Sequence, residues 1–129
     1  MITFLLIAGF VFTVKCCEIR TTVKSLSEMP FQFKLSHPEI DDFEMKENLH
    51  FHGKEEQQEL IIKGENCADK AWKMETFKRN SENGVLELAK EATVKFDGNG
   101  VMDIKVKEDL QPWIGARVGV YCAESLFCG

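Results

Sequence analysis

Apolar and polar residues alternate with a period of two along much of this chain, the pattern of strands that bury one face. Phe31, Phe33 and Leu35 alternate with Gln32, Lys34 and Ser36, and Pro30 and Pro38 bracket the run, in keeping with proline's exclusion from strand interiors. Leu49 and Phe51 point one way and His50 and His52 the other, while Leu60 and Ile62 oppose Ile61 and Lys63. Residues 19–24 alternate weakly, and residues 71–79 are strand-like. Turn chemistry separates the runs at Asp41-Asp42, over residues 80–84 (NSENG), and at Asp97-Gly98-Asn99-Gly100. The last of these supplies the positive φ of a tight hairpin. The spacing therefore predicts a hairpin over residues 93–107, with Val94 and Phe96 leading in and Met102, Ile104 and Val106 leading out. A final strand over residues 117–122 sets Val118, Val120 and Cys122 against Gly119 and Tyr121. Only residues 85–90 (VLELAK) have helix-forming composition, and so short a segment does not hold a helix alone.

Many short strands at this spacing predict an all-β fold, an antiparallel two-sheet sandwich. Its expected core is Phe33, Leu35, Phe51, Leu60, Ile62, Val94, Phe96, Ile104, Val106, Val118 and Val120. The length of 129 residues, 44% of them hydrophobic, suits one domain with a modest core.

Residues 2–14 form an apolar run too short to span a bilayer and of the length of a signal-peptide core. Residues 1–16 are therefore expected to be a signal peptide and residues 17–129 a single secreted domain, with no membrane insertion of the mature chain. Cleavage there leaves an even set of cysteines, Cys17, Cys67, Cys122 and Cys128, for an oxidising compartment where disulfides persist. Pairing Cys67 with Cys122 and Cys17 with Cys128 would tie the termini together; the short pairing of Cys122 with Cys128 is the alternative. The formal charge is −5 and the charges are interspersed, as on ordinary solvated faces. No basic patch with interleaved aromatics suggests nucleic acid as a partner.

The richest stretch for chemistry is residues 48–75. His50, His52, Asn66, Trp72 and Glu75 are expected to meet on one exposed sheet face backed by an apolar one. Their order and intervals resemble the sugar-binding core of galectins, which runs His-x-Asn-x-Arg, then Asn, then Trp-x-x-Glu-x-Arg. The likeness extends over residues 31–106, since FQFKLS and TVKFDG are similar to strands of that family. It implies a jelly-roll sandwich that binds glycans or glycoproteins without a cofactor. It further implies that Trp72 is the stacking platform and that His50, Asn66 and Glu75 are polar contacts. His52 stands where the family has Asn, Lys54 where it has Arg, and Phe77 where it has the final Arg. Lysine is a mobile point charge where arginine is a planar fork, so a weakened or altered galactoside preference follows.

Other classes find less in the chain. His50-x-His52 could begin a metal site, yet no third ligand is marked beyond His37 or Glu59, and no hydrolase or zincin motif accompanies it. No metal and no catalytic residue is expected, and the chain is not expected to be an enzyme. An immunoglobulin-like domain would use Cys67 and Cys122, but Trp72 follows the first too closely and Val120 stands where the tyrosine should be. A secreted, disulfide-stapled protein-interaction domain with no sugar binding is the alternative to the lectin.

Overall fold

The computed structural model describes residues 16–37, 48–65, 71–123 and 127–128 of the chain. Among them are strands and turns and no helix. Asp41-Asp42, Asn66, Cys67 and residues 1–15 of the expected signal peptide lie outside the described residues. The strands are β1 (Cys16–Ser25), β2 (Phe31–Ser36), β3 (Leu49–Phe51), β4 (Gln57–Glu65), β5 (Trp72–Arg79), β6 (Leu86–Val106) and β7 (Pro112–Ala123). They form one seven-stranded sheet in the order β3-β2-β5-β6-β1-β4, with β7 also on β6. The sheet curls into a nearly closed, barrel-like form. At the seam the Gln58 side-chain amide donates to the His50 carbonyl, joining the two end strands.

Strand alternation builds the core. β2 buries Phe31, Phe33 and Leu35 and turns Lys34 outward. β1 buries Cys17, Ile19 and Val23 together with Thr21 and Ser25. Phe31 stacks on Phe51 with ring centroids 4.9 Å apart. The β5–β6 turn falls where the sequence placed it. The Asn80 side-chain oxygen accepts from the backbone N–H of Glu82 and Asn83, at 2.7 and 3.3 Å, and Gly84 takes φ 69°. The β6–β7 turn places Leu110, buried, at φ 73°. Thr76, itself buried, donates to the Leu110 carbonyl at 2.7 Å and holds that turn against β5.

The expected hairpin over residues 93–107 does not form. β6 runs unbroken through Asp97-Gly98-Asn99-Gly100. It pairs with β5 over its first half, then with β7 on to Val106 and in parallel with β1. The glycines serve a close backbone approach instead of a turn. A Cβ on Gly100 would lie inside van der Waals contact of the Val118 carbonyl oxygen, and one on Gly98 would do the same to the Gly119 carbonyl. Gly119 itself sits at φ 78° facing the Asn99 carbonyl. Glycine inside a strand marks such approaches and bulges.

The same irregularity corrects the last strand. The register of β7 on β6 shifts between Gly98 and Val101, so strict alternation fails there. Val118 is 70% exposed and Val120 only half-buried; the β7 residues that reach the core are Pro112 and Ile114. The other nine expected core residues are buried.

The disulfide pattern is also corrected. Cys122 bonds to Cys128, with Cα atoms 6.2 Å apart, because the chain after β7 returns to bridge Cys128 beside Ile114. That pair excludes both Cys67–Cys122 and Cys17–Cys128. Cys17 is buried and disulfide-bonded.

Phe96→Ala should cost about 3–5 kcal/mol of unfolding free energy in urea titrations, and Gly100→Ala about 1–3 kcal/mol through overpacking; a neutral Gly100→Ala would contradict the close crossing. Cleavage after Glu124 without reductant should leave two fragments joined through Cys122 and Cys128 that part on reduction, as mass spectrometry will show.

Candidate functional site

The outer face of the β3-β2-β5-β6 sheet is ordered by register. Gln32 opposes His50 on β3 and Phe77 on β5, and Phe77 opposes Leu88 on β6. His50, Gln32, Phe77 and Leu88 therefore form one cross-strand row. The next row is Lys34, Glu75 and Glu91.

An irregularity between Thr76 and Phe77 makes the row apolar at one end. Thr76 pairs with Lys90 and Phe77 with Leu88, which leaves Ala89 as the extra residue of a bulge on β6. A bulge changes which face later side chains occupy. Beyond it, the even-numbered Ala92, Val94 and Phe96 point into the core. Before it, Leu88 is 47% exposed and Ala89 packs against the core. A regular strand would have turned Leu86 and Leu88 inward with Ala92.

Of these two leucines, Leu86 lines a groove of about 350 Å³, whose walls also include Met29, Gln32, His50, His52, Phe77 and Arg79; Leu88 lies beside it, opposite Phe77. Phe77 and Leu86 supply apolar surface, extended by Met29, which is 42% exposed. Polar groups surround it. Gln32 accepts from the Asn48 side-chain amide at 3.1 Å, the His52 backbone N–H donates to a Glu56 carboxylate oxygen at 3.2 Å, and Arg79 donates to the Gly84 carbonyl at 2.9 Å. The groove can seat an apolar group and offer hydrogen bonds and positive charge around it.

The residues singled out in the sequence divide over four places. His50 and His52 both line the groove. Glu75 lies one row away, about 7 Å along the strand from Phe77, beside a separate depression with Lys34, Ser36 and Lys73. Lys54 belongs to another concavity, with Leu26 and Lys107. Trp72 is in the core at 0% exposure. Its ring stacks on Phe96 at 5.1 Å and meets the edge of His37 at 4.7 Å, so it presents no face to solvent. The physical reason is parity: β5 is a strand through both Trp72 and Glu75, and residues three apart on a strand point to opposite faces. Asn66 lies outside the described residues. No group of three His, Cys, Asp or Glu stands together in a metal-holding arrangement among the described residues.

Met29, Gln32, Arg79, Leu86 and Leu88 went unmarked in the sequence. Gln32 was visible as an outward position of β2, and Arg79 as an outward partner of Phe77 two residues on. The leucines were not visible, since only the bulge sends them outward. The second tryptophan, Trp113, is half-buried with the Lys107 ammonium 5.2 Å from its ring centre. Comparison with protein families, with curated proteins and with solved structures finds no match to this chain.

Trp72→Ala should therefore destabilise the fold by about 3–5 kcal/mol, whereas Phe77→Ala should cost about 1 kcal/mol or less. Paired thermal and urea melts check this, and equal losses would place Phe77 in the core as well.

Proposed function

We propose that this chain is a secreted, disulfide-stapled binding domain that engages a segment of another protein through the groove between Met29, His50, Phe77 and Leu86, and that it is not an enzyme. The observation that carries this reading is the apolar surface of Phe77, Leu86 and Met29 in one groove, with Leu86 and the neighbouring Leu88 turned outward by the bulge at Ala89. Fully burying one such side chain is worth about 1.5–3 kcal/mol, and exposed apolar surface rimmed by polar groups is the mark of an interaction site. Secretion is supported by the apolar run of residues 2–14 and by the Cys122–Cys128 pair, since disulfides persist in oxidising compartments.

A second reading keeps the galectin-like lectin of jelly-roll architecture, with the platform moved from Trp72 to Phe77. It is supported by the placement of His50 and Gln32 in the same row as an aromatic ring, which joins a C–H-binding surface to oriented hydrogen-bonding groups. Asn66 and Lys54 would then contribute from outside that row or not at all.

Selection of a displayed random-peptide library against the refolded domain, run beside a glycan array, separates the two. The first reading expects selected peptides whose binding falls about tenfold or more with Phe77→Ala or Leu88→Lys while the melting temperature holds. Glycan binding lost with Phe77→Ala and His50→Ala, with no peptide selected, would replace it by the second. Peptide binding untouched by either variant would overturn the groove as the site.

A further inference from the structure

Charge distinguishes the groove from the rest of the molecule. The whole chain has 21 acidic residues against 16 basic ones. Yet the described residues lining the groove include Lys78, Arg79, His50 and His52 and no Asp or Glu. Among the described residues, the carboxylates that sequence and register place around it are Glu28 beside Met29, Glu56, Glu87, Glu75 and Glu91, and none of them lines it. Glu56 accepts from the His52 backbone at 3.2 Å. Glu87, opposite Lys78 across the β5–β6 pair, accepts from the Asn80 side chain at 3.2 Å. Glu75 and Glu91 belong to the next row, where Glu91 faces Lys73 at 3.9 Å. Arg79 spends one N–H on the Gly84 carbonyl; a guanidinium has five N–H donors.

From this we infer that the segment held in the groove is acidic: a large apolar side chain seats on Phe77, Leu86 and Met29, and an adjoining carboxylate meets Arg79 beside His50 and His52. This rests on the reading of the groove as a peptide site. Arginine suits the role because its planar fork takes a carboxylate through two parallel hydrogen bonds. Complementary charge of this kind governs partner choice and the salt dependence of association more than total affinity. A basic segment would meet like charge at Arg79, which shares the face of Phe77, so the groove discriminates as well as binds.

Three fluorescent pools of octapeptides test it against the whole mature domain. Each pool carries Leu, Phe or Trp at its centre, flanked by Asp and Glu, by Lys and Arg, or by Ser and Gln. The acidic pool should bind about tenfold or more tighter than the basic pool at low salt, with the gap narrowing as salt rises. Arg79→Glu, and separately Arg79→Gln, which keeps an N–H for the Gly84 carbonyl in case that turn contact matters to folding, should reduce or reverse the preference. Equal binding of the three pools, still lost with Phe77→Ala, would overturn the acidic inference and leave the groove standing. Binding of every pool unaffected by Phe77→Ala would overturn the groove itself. Sulfated or carboxylated glycans that bind where no pool does would replace the acidic peptide with an acidic sugar.

Discussion

The crossing of β6 and β7 at Gly98, Gly100 and Gly119 is the constraint on which the remaining architecture depends. Two backbones meet there so closely that any side chain would strike a carbonyl oxygen. Because nothing intrudes, β6 continues for its full length instead of folding back. The inward set Ala92, Val94 and Phe96 then passes to Met102, Ile104 and Val106 without a change of face. One strand thereby carries β5 along its first half and β1 and β7 along its second. A turn at Asp97–Gly100 would have divided the sheet at that point and left β1 without its parallel partner.

The groove is a product of a second irregularity on the same strand. Where the crossing preserves the face of β6, the bulge at Ala89 reverses it, and Leu86 and Leu88 reach the surface beside Phe77. Thr76, at the edge of the bulge, is buried and bonds the Leu110 carbonyl, so the β6–β7 turn braces β5 where the groove begins. A buried hydroxyl without that partner would cost about 1–3 kcal/mol. Binding chemistry at the surface and packing below it thus share one backbone feature.

Trp72 shows how much a local motif leaves open. Its spacing to Glu75 resembles a sugar-binding pair, yet on a regular strand that spacing sends the two to opposite faces. The indole goes inward, where Phe96 and His37 enclose it, and a large ring in the middle of so small a core contributes more to folding than a surface ring would. Phe77, an odd step from Trp72 and an even one from Glu75, takes the outer face.

The period-two alternation by itself determined the strands β2, β3 and β4 with their buried faces and the all-β class, and turn chemistry placed the turn at residues 80–84. Residues 71–79 read as a strand, but its inward face, with Trp72, was decided by the fold. Alternation is a local property, and a residue's face follows from its neighbours in the chain. His50 and His52 were legible for the same reason. What only the tertiary structure decided are the features that break the period: the straight passage of β6 through Asp97–Gly100, the exposure of Val118, the outward Leu86 and Leu88, and the Cys122–Cys128 bond. Glycine next to Asp or Asn permits a tight turn and a close backbone approach equally well. The choice between them depends on whether another strand lies alongside, and that strand is more than fifteen residues further along the chain.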